Sequence, residues 1–388
     1  MNVTIDASPA VHQRAGLGRY AAELIRALAA SSPAEERLTL LYTEPAAARP
    51  DAALAALPAR PVPLGYKPWR LLALAAHVTG LPQDGLAPGA DLFHATDHLL
   101  PRMRRVRTVF TLHDLIFLKY PEHHKGYNRT FLTLMMPRFL RAADHIIAVS
   151  EHTRRDAVAA YGLPADKITV IYEAAGACYR PAATPAALGD FRRRYGLPER
   201  YILHASTIEP RKNQQRLLDA YAALRAEFPG VGLVMVGRRG WLYDDFFARL
   251  TALGLEEQVI FPGFVPEADL PRFYQAADCF VYPSLYEGFG LPPLEALACG
   301  TPVICSDAAS LPEVVGTAGL LVAPADTAAL TAAIRRVLAD PPLRADLAAR
   351  GPRQAARFSW QRTAEETRAV YRRVLGEESA GRVPRYRP

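Results

Sequence analysis

Two acidic residues, Glu287 and Glu295, flank a glycine-rich turn with the composition of an anion-binding site. Gly288 and Gly290 allow the backbone of this turn to approach a bound group closely. Pro292 favours the first turn of a helix directly afterwards, and free N–H groups at a helix start attract negative charge. We therefore expect the turn to hold a diphosphate, with one carboxylate near a transferred group and the other near ribose hydroxyls. A structural glycine turn with a capping carboxylate is the alternative.

A second group of candidate residues is basic and follows a different strand-like run. Lys212 lies shortly after Tyr201–Ala205, at the end of a predicted strand, where ligands of parallel sheets bind. Its neighbour Arg211 is expected either to assist it or to pair with Glu209 at the surface. For Lys212, a solvated loop lysine is the alternative.

A histidine and two early glycines complete the set of candidates. His113 follows a strand-like run and precedes Asp114, so we expect it to project into a site at the strand ends. A structural histidine with satisfied hydrogen bonds is the alternative. Gly16 and Gly18 are expected in a loop before the first long helix, where glycines would let a ligand approach the backbone. An ordinary strand-to-helix turn is the other interpretation.

Short apolar runs alternate with longer helical patterns, which predicts parallel sheets flanked by helices. In the first half, the predicted strands are Val3–Ala7, Leu38–Tyr42, Asp91–Ala95, Thr108–Leu112, His145–Val149 and Thr169–Ile171. In the second half they are Tyr201–Ala205, Gly232–Val236, Gln258–Phe261, Cys279–Tyr282, Pro302–Cys305 and Gly319–Val322. The predicted helices include Gly18–Ala30, Arg129–Ala142, Ser150–Tyr161 and Trp360–Leu375, with Ser150 as an N-cap. Asp244-Asp245 is interpreted as a helix start rather than a paired-acid metal site.

The same α/β architecture is therefore predicted twice. Residues 1–180 form the first domain and 181–358 the second, with a hinge in the Pro-, Ala- and Thr-rich stretch Tyr179–Gly189. Residues 359–388 are expected to form a helix that returns to the first domain and ends in a basic tail. Ligands of open parallel sheets bind beyond the carboxyl ends of the strands. We thus expect two Rossmann-like sheets facing one another across a cleft that contains the site.

Composition limits the classes of protein to which the chain can belong. Half of its 388 residues are hydrophobic and 22% are charged, as in soluble globular proteins. No apolar run reaches the ~20 residues that span a bilayer, and the N-terminus lacks the pattern of a signal peptide. The net charge of +7 is typical of a solvated surface or of attraction to anionic ligands or an anionic membrane. The basic clusters lack interleaved aromatic residues, so nucleic acid is not an expected partner. The four cysteines form no Cys-x-x-Cys pair.

Together these features resemble the family 4 retaining glycosyltransferases, which have the two-domain GT-B fold. The family signature is a glutamate, seven intervening residues and a second glutamate, matched here by Glu287 and Glu295. The resemblance covers nearly the whole chain, through the segments Gly16–Tyr20, Thr111–Asp114, Ala148–Thr153, Ser206–Asn213 and Gly300–Val303. Many members carry an arginine five residues before the lysine, where this chain has Thr207.

The resemblance implies a role for each candidate residue. His113 would lie beside the transferred sugar and the acceptor hydroxyl, Lys212 on the donor diphosphate, and Glu287 on the sugar hydroxyls. Glu295 would bind the ribose, and Arg238 or Arg239 would replace the arginine missing at position 207. The implied donor-binding positions are Gly16, Gly18, Arg211, Lys212, Arg238, Gly263, Phe264, Val265, Tyr286, Gly288, Phe289, Gly290, Leu291 and Glu295. Of these, the segment from Gly263 to Val265 would border the nucleobase. No metal or cofactor is implied, because cations and helix ends of the protein do that work in the family.

The implied activity is transfer of a hexose from a nucleotide diphosphate sugar to a glycan or lipid-diphosphate-linked acceptor, with an α product. The segment Thr207–Asn213 most resembles bacterial mannosyl- and rhamnosyltransferases of polysaccharide assembly, which favours a GDP-mannose-like donor. Such an enzyme would be cytoplasmic and peripheral at the inner face of the membrane. A non-catalytic nucleotide-sugar binding protein and a glycoside hydrolase with two carboxylates stay open as alternatives. A dehydrogenase is disfavoured, since Gly16-Leu17-Gly18 does not extend to a full Gly-x-Gly-x-x-Gly.

Overall fold

The computed structural model describes residues 1–182 and 188–376, which form two compact units. Unit 1 comprises Met1–Leu118, Gly126–Glu173 and the segment that begins at Ser359, and unit 2 comprises Lys119–Lys125 and Ala174–Phe358. The units therefore divide after Glu173 rather than at residue 180, and a short segment within the first half of the chain belongs to unit 2. The basic tail and the middle of the predicted hinge, residues 183–187, lie outside the described residues.

Unit 1 alternates strands and helices from its first residues. Its elements up to the end of the first half are β1 (Asn2–Asp6), α1 (Ser8–Val11), α2 (Ala15–Ala30), β2 (Arg37–Thr43), α3 (Ala52–Ala55), β3 (Ala59–Val62), α4 (Tyr66–Thr79), β4 (Leu92–Ala95), β5 (Arg107–Leu112), α5 (Ile116–Lys119), α6 (Gly126–Ala142), β6 (His145–Ala148), α7 (Glu151–Tyr161) and β7 (Ile168–Val170). The strands form a seven-stranded sheet in the order β3-β2-β1-β4-β5-β6-β7, with parallel pairings. Because β4 and β6 are buried along their whole length, they read as continuous apolar runs rather than as alternating patterns.

Unit 2 repeats the alternation with a second sheet. Its elements are α8 (Gly189–Tyr195), β8 (Arg200–Ala205), α9 (Gln214–Leu224), β9 (Val231–Val236), α10 (Asp244–Ala252), β10 (Val259–Gly263), α11 (Leu270–Ala276), β11 (Cys279–Tyr282), α12 (Leu291–Ala298), β12 (Val303–Ser306), α13 (Leu311–Val315), β13 (Gly319–Val322), α14 (Thr327–Ala339) and α15 (Pro341–Ala355). The six-stranded sheet has the order β10-β9-β8-β11-β12-β13, again with parallel pairings. The strand order reverses direction beside β8, and the loops after β8 and β11 therefore emerge side by side.

The last helix, α16 (Trp360–Leu375), packs within unit 1. Ser359 caps its start by accepting a hydrogen bond from the N–H of Arg362. Arg368 forms a buried ion pair with Glu36 at 3.0 Å, and the Tyr371 hydroxyl lies 2.6 Å from His94 Nδ1. These polar contacts fix the helix against α2 and the sheet more specifically than apolar packing alone.

The predicted fold class is confirmed: two Rossmann-like parallel sheets are present. The strand prediction missed β3, because this edge strand is largely exposed and contains Pro61, which lacks the N–H of a central strand. Ser150 caps α7 as predicted, with its hydroxyl accepting from Thr153 N at 3.0 Å. Asp244 and Asp245 lie in the first turn of α10, as the helix-start interpretation expects. Among the described helices, none is both long and apolar enough to cross a membrane.

Candidate functional site

In unit 2, two loops meet at the carboxyl ends of neighbouring strands. A 3-10 turn, Pro210–Lys212, follows β8, and the loop of residues 283–290 follows β11. Leu285 donates its N–H to the carbonyl of Arg211 at 2.9 Å, and Asn213 Nδ2 donates to the carbonyl of Pro283 at 2.9 Å. These bonds hold the basic turn against the glycine-rich loop, as their adjacent strands require.

Glu287 lies at the centre of a buried ionic cluster. Its Oε1 accepts hydrogen bonds from Lys212 Nζ at 2.7 Å, Ser284 Oγ at 2.6 Å and the Tyr282 hydroxyl at 3.0 Å. Its Oε2 pairs with Arg211 at 2.8 Å. Lys212 also donates to the Tyr282 hydroxyl at 2.7 Å. Lys212 and Glu287 are each only 7% exposed, so the solvated-loop interpretation of the lysine is wrong.

The opposite charges in this cluster favour one another's ionised forms. Burial alone would raise the pKa of Glu287, but the cations of Arg211 and Lys212 lower it to about 2. Burial, together with the adjacent Arg211 cation, lowers the pKa of Lys212, and Glu287 opposes that shift. Arg211 also pairs with the buried Glu209 at 2.7 Å. The carboxylate therefore stays ionised through the physiological range and holds two cations in fixed positions.

Hydrogen-bond capacity restricts what Glu287 can do for a ligand. Three donors already converge on Oε1, whereas only Arg211 is recorded on Oε2. A carboxylate oxygen accepts about two strong bonds along its lone pairs. Oε2 can therefore still contact a sugar hydroxyl. The hydrogen bonds that Glu287 already accepts orient Lys212 and Arg211.

The glycine-rich loop is held in one conformation by packing around its backbone. Gly290 has φ 121°, a backbone conformation that residues with a side chain rarely adopt. A Cβ there would also lie 2.9 Å from Leu311 Cδ2, which is too close. Ser310 Oγ lies 2.9 Å from the carbonyl of Glu287 and 2.6 Å from that of Phe289. Phe289 itself is buried and packs on Phe358, with ring centroids 5.8 Å apart.

The start of α12 offers fewer N–H groups than a typical helix. Pro292 and Pro293 occupy its first turn and carry no N–H. Fewer free N–H groups are therefore available to bind a diphosphate at this helix start than the sequence predicts. The donors at this end are restricted to the loop amides up to Leu291, so a bound anion depends more on Lys212 and Arg211.

Glu295 and the other loop side chains lie inside the protein. Glu295 is fully buried in α12 and accepts a hydrogen bond from the Tyr274 hydroxyl at 3.0 Å. A contact with ribose would require this carboxylate to become accessible, so its ribose role stays a prediction that this geometry does not favour. The side chains of three further predicted donor-binding residues are also buried, which leaves their backbone as the accessible part: Tyr286, Leu291 and Val265.

A second basic position lies beside Thr207, where the family arginine is missing. Gly237 and Gly240 bracket the exposed residues Arg238 and Arg239 and pack on residues 206–208, so close that a Cβ on Gly237 would lie 1.9 Å from the carbonyl oxygen of Ser206. The Arg238 guanidinium stacks 3.9 Å from the ring centroid of Phe264, which is 61% exposed. Gly263, the last residue of β10, accepts the N–H of Gly237 at 3.0 Å. The structure thus brings Arg238, predicted as a phosphate contact, together with Gly263 and Phe264, predicted to border the nucleobase, and these roles stay predictions.

His113 lies in unit 1, directly after β5. It is 7% exposed, its Nε2 lies 3.0 Å from the carbonyl of Thr96, and its Nδ1 lies 3.6 Å from Glu173 Oε1. Burial lowers the pKa of His113, but Glu173 raises it through a hydrogen bond and its charge, and the carbonyl of Thr96 and the charge of Asp114 add to this, so the net shift is upward. The histidine is therefore oriented, and a neighbouring carboxylate stabilises its protonated form.

Gly16 and Gly18 do not lie in a loop. Both belong to the first turn of α2, which begins at Ala15. A Cβ on Gly18 would lie 2.7 Å from the carbonyl oxygen of Pro9, so this glycine permits α2 to pack on α1. Gly16 is exposed and faces open space, and its phosphate role stays a prediction.

Several polar residues of the two clusters were missed by sequence reasoning. Tyr282, Ser284 and Ser310 support Glu287 and its loop, while Glu173 supports His113. Tyr282 ends β11 and Ser284 follows two residues later, so a search for polar residues at strand ends would have found them. Glu173 lies far from His113 in sequence, and only the pairing of β5, β6 and β7 connects them. Within residues 1–182 and 188–376, no group of three or more His, Cys, Asp or Glu side chains is arranged to hold a metal ion.

Comparisons with known proteins agree with this division of the chain. A family model described as Glycosyltransferase Family 4 matches residues 14–174, and one described as Glycosyl transferases group 1 matches residues 190–354. The chain is 35% identical to O-antigen chain mannosyltransferase B of Escherichia coli, across 96% of this chain and 100% of that protein. It is 34% identical to the GDP-mannose-dependent alpha-(1-6)-phosphatidylinositol monomannoside mannosyltransferase of Mycolicibacterium smegmatis, across 56% of this chain and 59% of that one.

The solved structures extend the likeness to the fold. The crystal structure of Anabaena HepE in complex with UDP-glucose matches with a TM-score of 0.70, covering 96% of this chain and 99% of that chain at 22% identity. At that identity the match supports the fold alone, and it agrees with the predicted GT-B class. With one family model on each half and a mannosyltransferase aligned along its whole length, this chain belongs to the family 4 and group 1 glycosyltransferases.

Proposed function

We propose that this glycosyltransferase moves a mannose-like hexose from a nucleotide diphosphate sugar to a glycan or lipid-diphosphate-linked acceptor, with retention of the α configuration. The observation that carries the proposal is the buried cluster of Lys212, Arg211 and Glu287 at two adjacent strand ends. Two cations held by one carboxylate suit a leaving diphosphate, because they stabilise charge that develops in the transition state without reorganising.

The donor is expected to be GDP-mannose or a close relative. Two of the similar proteins are named as mannosyltransferases, one of them as GDP-mannose-dependent, and HepE has been crystallised with UDP-glucose. The exposed stack of Arg238 on Phe264 offers a surface for a nucleobase, and the diphosphate would then lie toward Lys212 and Arg211. The cations of the protein do the work of a metal here, so transfer should proceed without added divalent ions.

The proposed reaction breaks the bond between the anomeric carbon and the diphosphate oxygen. Lys212 and Arg211 stabilise the departing diphosphate, and Glu287 Oε2 orients a hydroxyl of the oxocarbenium-like sugar. The acceptor hydroxyl attacks from the face that the diphosphate leaves, and its proton passes to the departing phosphate. His113, oriented by Glu173, lies on the acceptor side and polarises the reacting hydroxyls.

A donor screen tests the proposal. Thermal unfolding of the chain is followed with GDP, UDP, ADP and dTDP sugars, since a ligand that binds only the folded state raises the unfolding temperature by mass action. GDP-mannose is expected to give the largest shift, and transfer to a mannose-terminated acceptor should proceed in the presence of a chelator. NMR of the product should report an α linkage. A β product, or release of free mannose without transfer, would contradict the proposal.

Attachment to the inner face of the cell membrane is proposed from the surface of α4 and α6. Leu71, Val78 and Leu81 are each more than half exposed on or just after α4, although they are large and apolar. Residues 52–83 contain no acidic side chain. Burial lowers the pKa of His77 on α4, and the positive charges of Arg102 and Arg138 lower it further. These two cations therefore lie near the exposed apolar side chains of α4. Exposed apolar side chains rimmed by cations suit an anionic lipid surface.

Vesicle sedimentation tests this attachment. The chain should sediment with vesicles of phosphatidylglycerol and phosphatidylethanolamine, less so with neutral vesicles, and the Leu71→Ser, Val78→Ser double variant should stay in the supernatant. A matched control, Leu242→Ser, alters an exposed leucine of unit 2 and should sediment normally. Equal sedimentation of all three proteins, or of none, would contradict the attachment.

A further inference from the structure

Arg70 is a buried cation without a polar partner in the structure. It is 3% exposed on α4, and its Nε makes no hydrogen bond. Across residues 1–182 and 188–376, no ion pair or hydrogen bond is recorded for any atom of its guanidinium. Unpaired buried charge is strongly unfavourable, so a counterion is expected.

Aromatic rings take the place of acidic partners around this guanidinium. Its central carbon lies 3.8 Å from the ring centroid of Phe131, 5.2 Å from Tyr66 and 5.4 Å from Tyr127. Rings stabilise a cation through their faces but leave its N–H donors unused. The cage has an exposed side, because Tyr127 is 59% exposed.

A second buried polar atom without a hydrogen bond belongs to His98, within range of the charge of Arg70. Nδ1 of His98 is buried without a hydrogen bond, and the charge of Arg70 acts on this imidazole. The His98 ring lies 6.1 Å from the ring of His113, centroid to centroid. Two buried polar atoms without hydrogen bonds, Arg70 Nε and His98 Nδ1, thus belong to side chains that interact electrostatically, and one of the two side chains lies beside the predicted catalytic histidine.

We propose that Arg70 and His98 form a subsite for a phosphate group of the acceptor. This inference rests on the proposed function, which supplies a lipid-diphosphate-linked or otherwise phosphorylated acceptor as the substrate. A guanidinium offers a planar fork of donors that matches phosphate oxygens.

The neighbouring charges restrict where the phosphate can lie. Asp97 faces His98 but is already paired with Arg14 at 2.6 Å. Asp114 also faces His98, and its Oδ1 accepts the N–H of Ile116 at 3.1 Å. Arg14 in turn stacks on Tyr66, with 4.5 Å between the guanidinium carbon and the ring centroid. Both carboxylates thus have partners within the protein, and Arg70 is the neighbouring cation left to bind an anion.

Direct binding is tested with inorganic phosphate at constant ionic strength. Phosphate should raise the unfolding temperature of the wild type and of Lys212→Ala, in which donor-side phosphate contacts are weakened. Arg70→Met, whose unfolding temperature without phosphate should equal or exceed that of the wild type, should keep only the donor-side response, and the Arg70→Met, Lys212→Ala double variant should not be stabilised. Lys67→Met, an exposed cation on the same helix, serves as the control and should respond like the wild type. Equal stabilisation of Arg70→Met and wild type would overturn the site.

The acceptor assignment is tested with two glycans that differ only in one phosphate. Arg70→Met should raise the KM for the phosphorylated acceptor by about ten- to a hundredfold and leave the KM for the neutral glycoside within about twofold. If inorganic phosphate binds but the two acceptors respond alike, the acceptor assignment is wrong. If Arg70→Met does not fold, Arg70→Lys and His98→Ala replace it, and unchanged phosphate binding in both overturns the site. Absence of transfer by the wild type would sink the proposed function while the phosphate titration still decides the subsite.

Discussion

The ionic cluster around Glu287 in unit 2 and the buried Arg70 in unit 1 differ in how their charges are compensated. Around Glu287, one carboxylate is met by Lys212, Arg211 and two hydroxyl groups, so the charges balance within the protein. Arg70 is equally buried, but within residues 1–182 and 188–376 the contacts recorded for its guanidinium are with aromatic rings. In both places the buried charge would destabilise the protein unless another group compensated it.

The difference separates two uses of a buried cation. In unit 2 the protein supplies the counterion, so the cations are oriented before any ligand arrives and can respond to charge that develops during reaction. In unit 1 a ligand would supply the counterion. Its binding is favourable because it removes the free-energy cost of an unpaired buried charge. The following predictions test each side of this contrast, in order of decreasing effect.

Lys212→Ala should have the largest effect. Removing the ammonium nearest Glu287 takes away stabilisation of the departing diphosphate, so kcat should fall by about a thousandfold, with a smaller change in donor KM. Kinetics with saturating donor measure this loss, and circular dichroism checks the fold. Lys67→Ala is the control and should keep its turnover. A kcat near that of the wild type would remove Lys212 from the chemistry.

Glu287→Gln tests whether the cluster is stabilised by the ionised carboxylate. The pKa of Glu287 is lowered from 4.5 to about 2, so its contribution is present above pH 4.5 and is lost as the pH falls toward 2. The difference corresponds to about 3 kcal/mol of unfolding free energy. Urea unfolding between pH 6 and pH 2 should therefore fall less steeply for the variant than for the wild type. Glu227→Gln breaks an exposed pair with Arg335 and should follow the wild type; parallel curves for all three proteins would contradict the pairing.

Glu173→Gln tests the intermediate case in unit 1, where a histidine has a protein carboxylate as partner. The pKa of His113 is raised because Glu173 outweighs burial, so the variant should have a lower His113 pKa. The stabilising contribution of protonated His113 is present below its ordinary pKa and is lost as the pH rises through the folded value. NMR titration of the ring measures the shift, with His145 as an internal control whose pKa of about 4 should not change. An unaltered His113 titration would show that Glu173 does not set its charge.

Ser310→Ala should have the smallest effect. The hydroxyl bridges the carbonyls of Glu287 and Phe289, so its loss should cost about 1 kcal/mol of unfolding free energy. Donor KM should rise a few-fold, because the loop that carries Glu287 loses one tie while the ionic cluster is intact. The control, Ser32→Ala, changes an exposed serine and should leave both quantities unaltered. A loss as large as that of Glu287→Gln would mean that the hydroxyl, rather than the charges, organises the loop.

Local pattern was sufficient to predict most of the fold. Buried parallel strands read as apolar runs, which explains why β4, β8 and β11 were found within one residue of their limits. The exposed edge strand β3 was missed because its residues lack that signal. The proline pair of α12 was visible in the sequence, and its effect on the anion site follows from the missing N–H groups alone. The loop expected at Gly18 is part of α2, because a helix-packing glycine and a loop glycine look the same in sequence, and the phosphate role of Gly18 stays a prediction.

The sequence by itself determined the two-fold α/β alternation, the strand ends from which functional loops emerge and the spacing of Glu287 and Glu295. Each of these depends on residues close together in the chain, where periodicity and turn chemistry act directly. Only the tertiary structure decided which charges are balanced: that Glu287 accepts two cations, that Glu295 is enclosed, and that Arg70 has rings but no acid. The physical reason is that burial and pairing depend on groups that the parallel sheets bring together from distant segments.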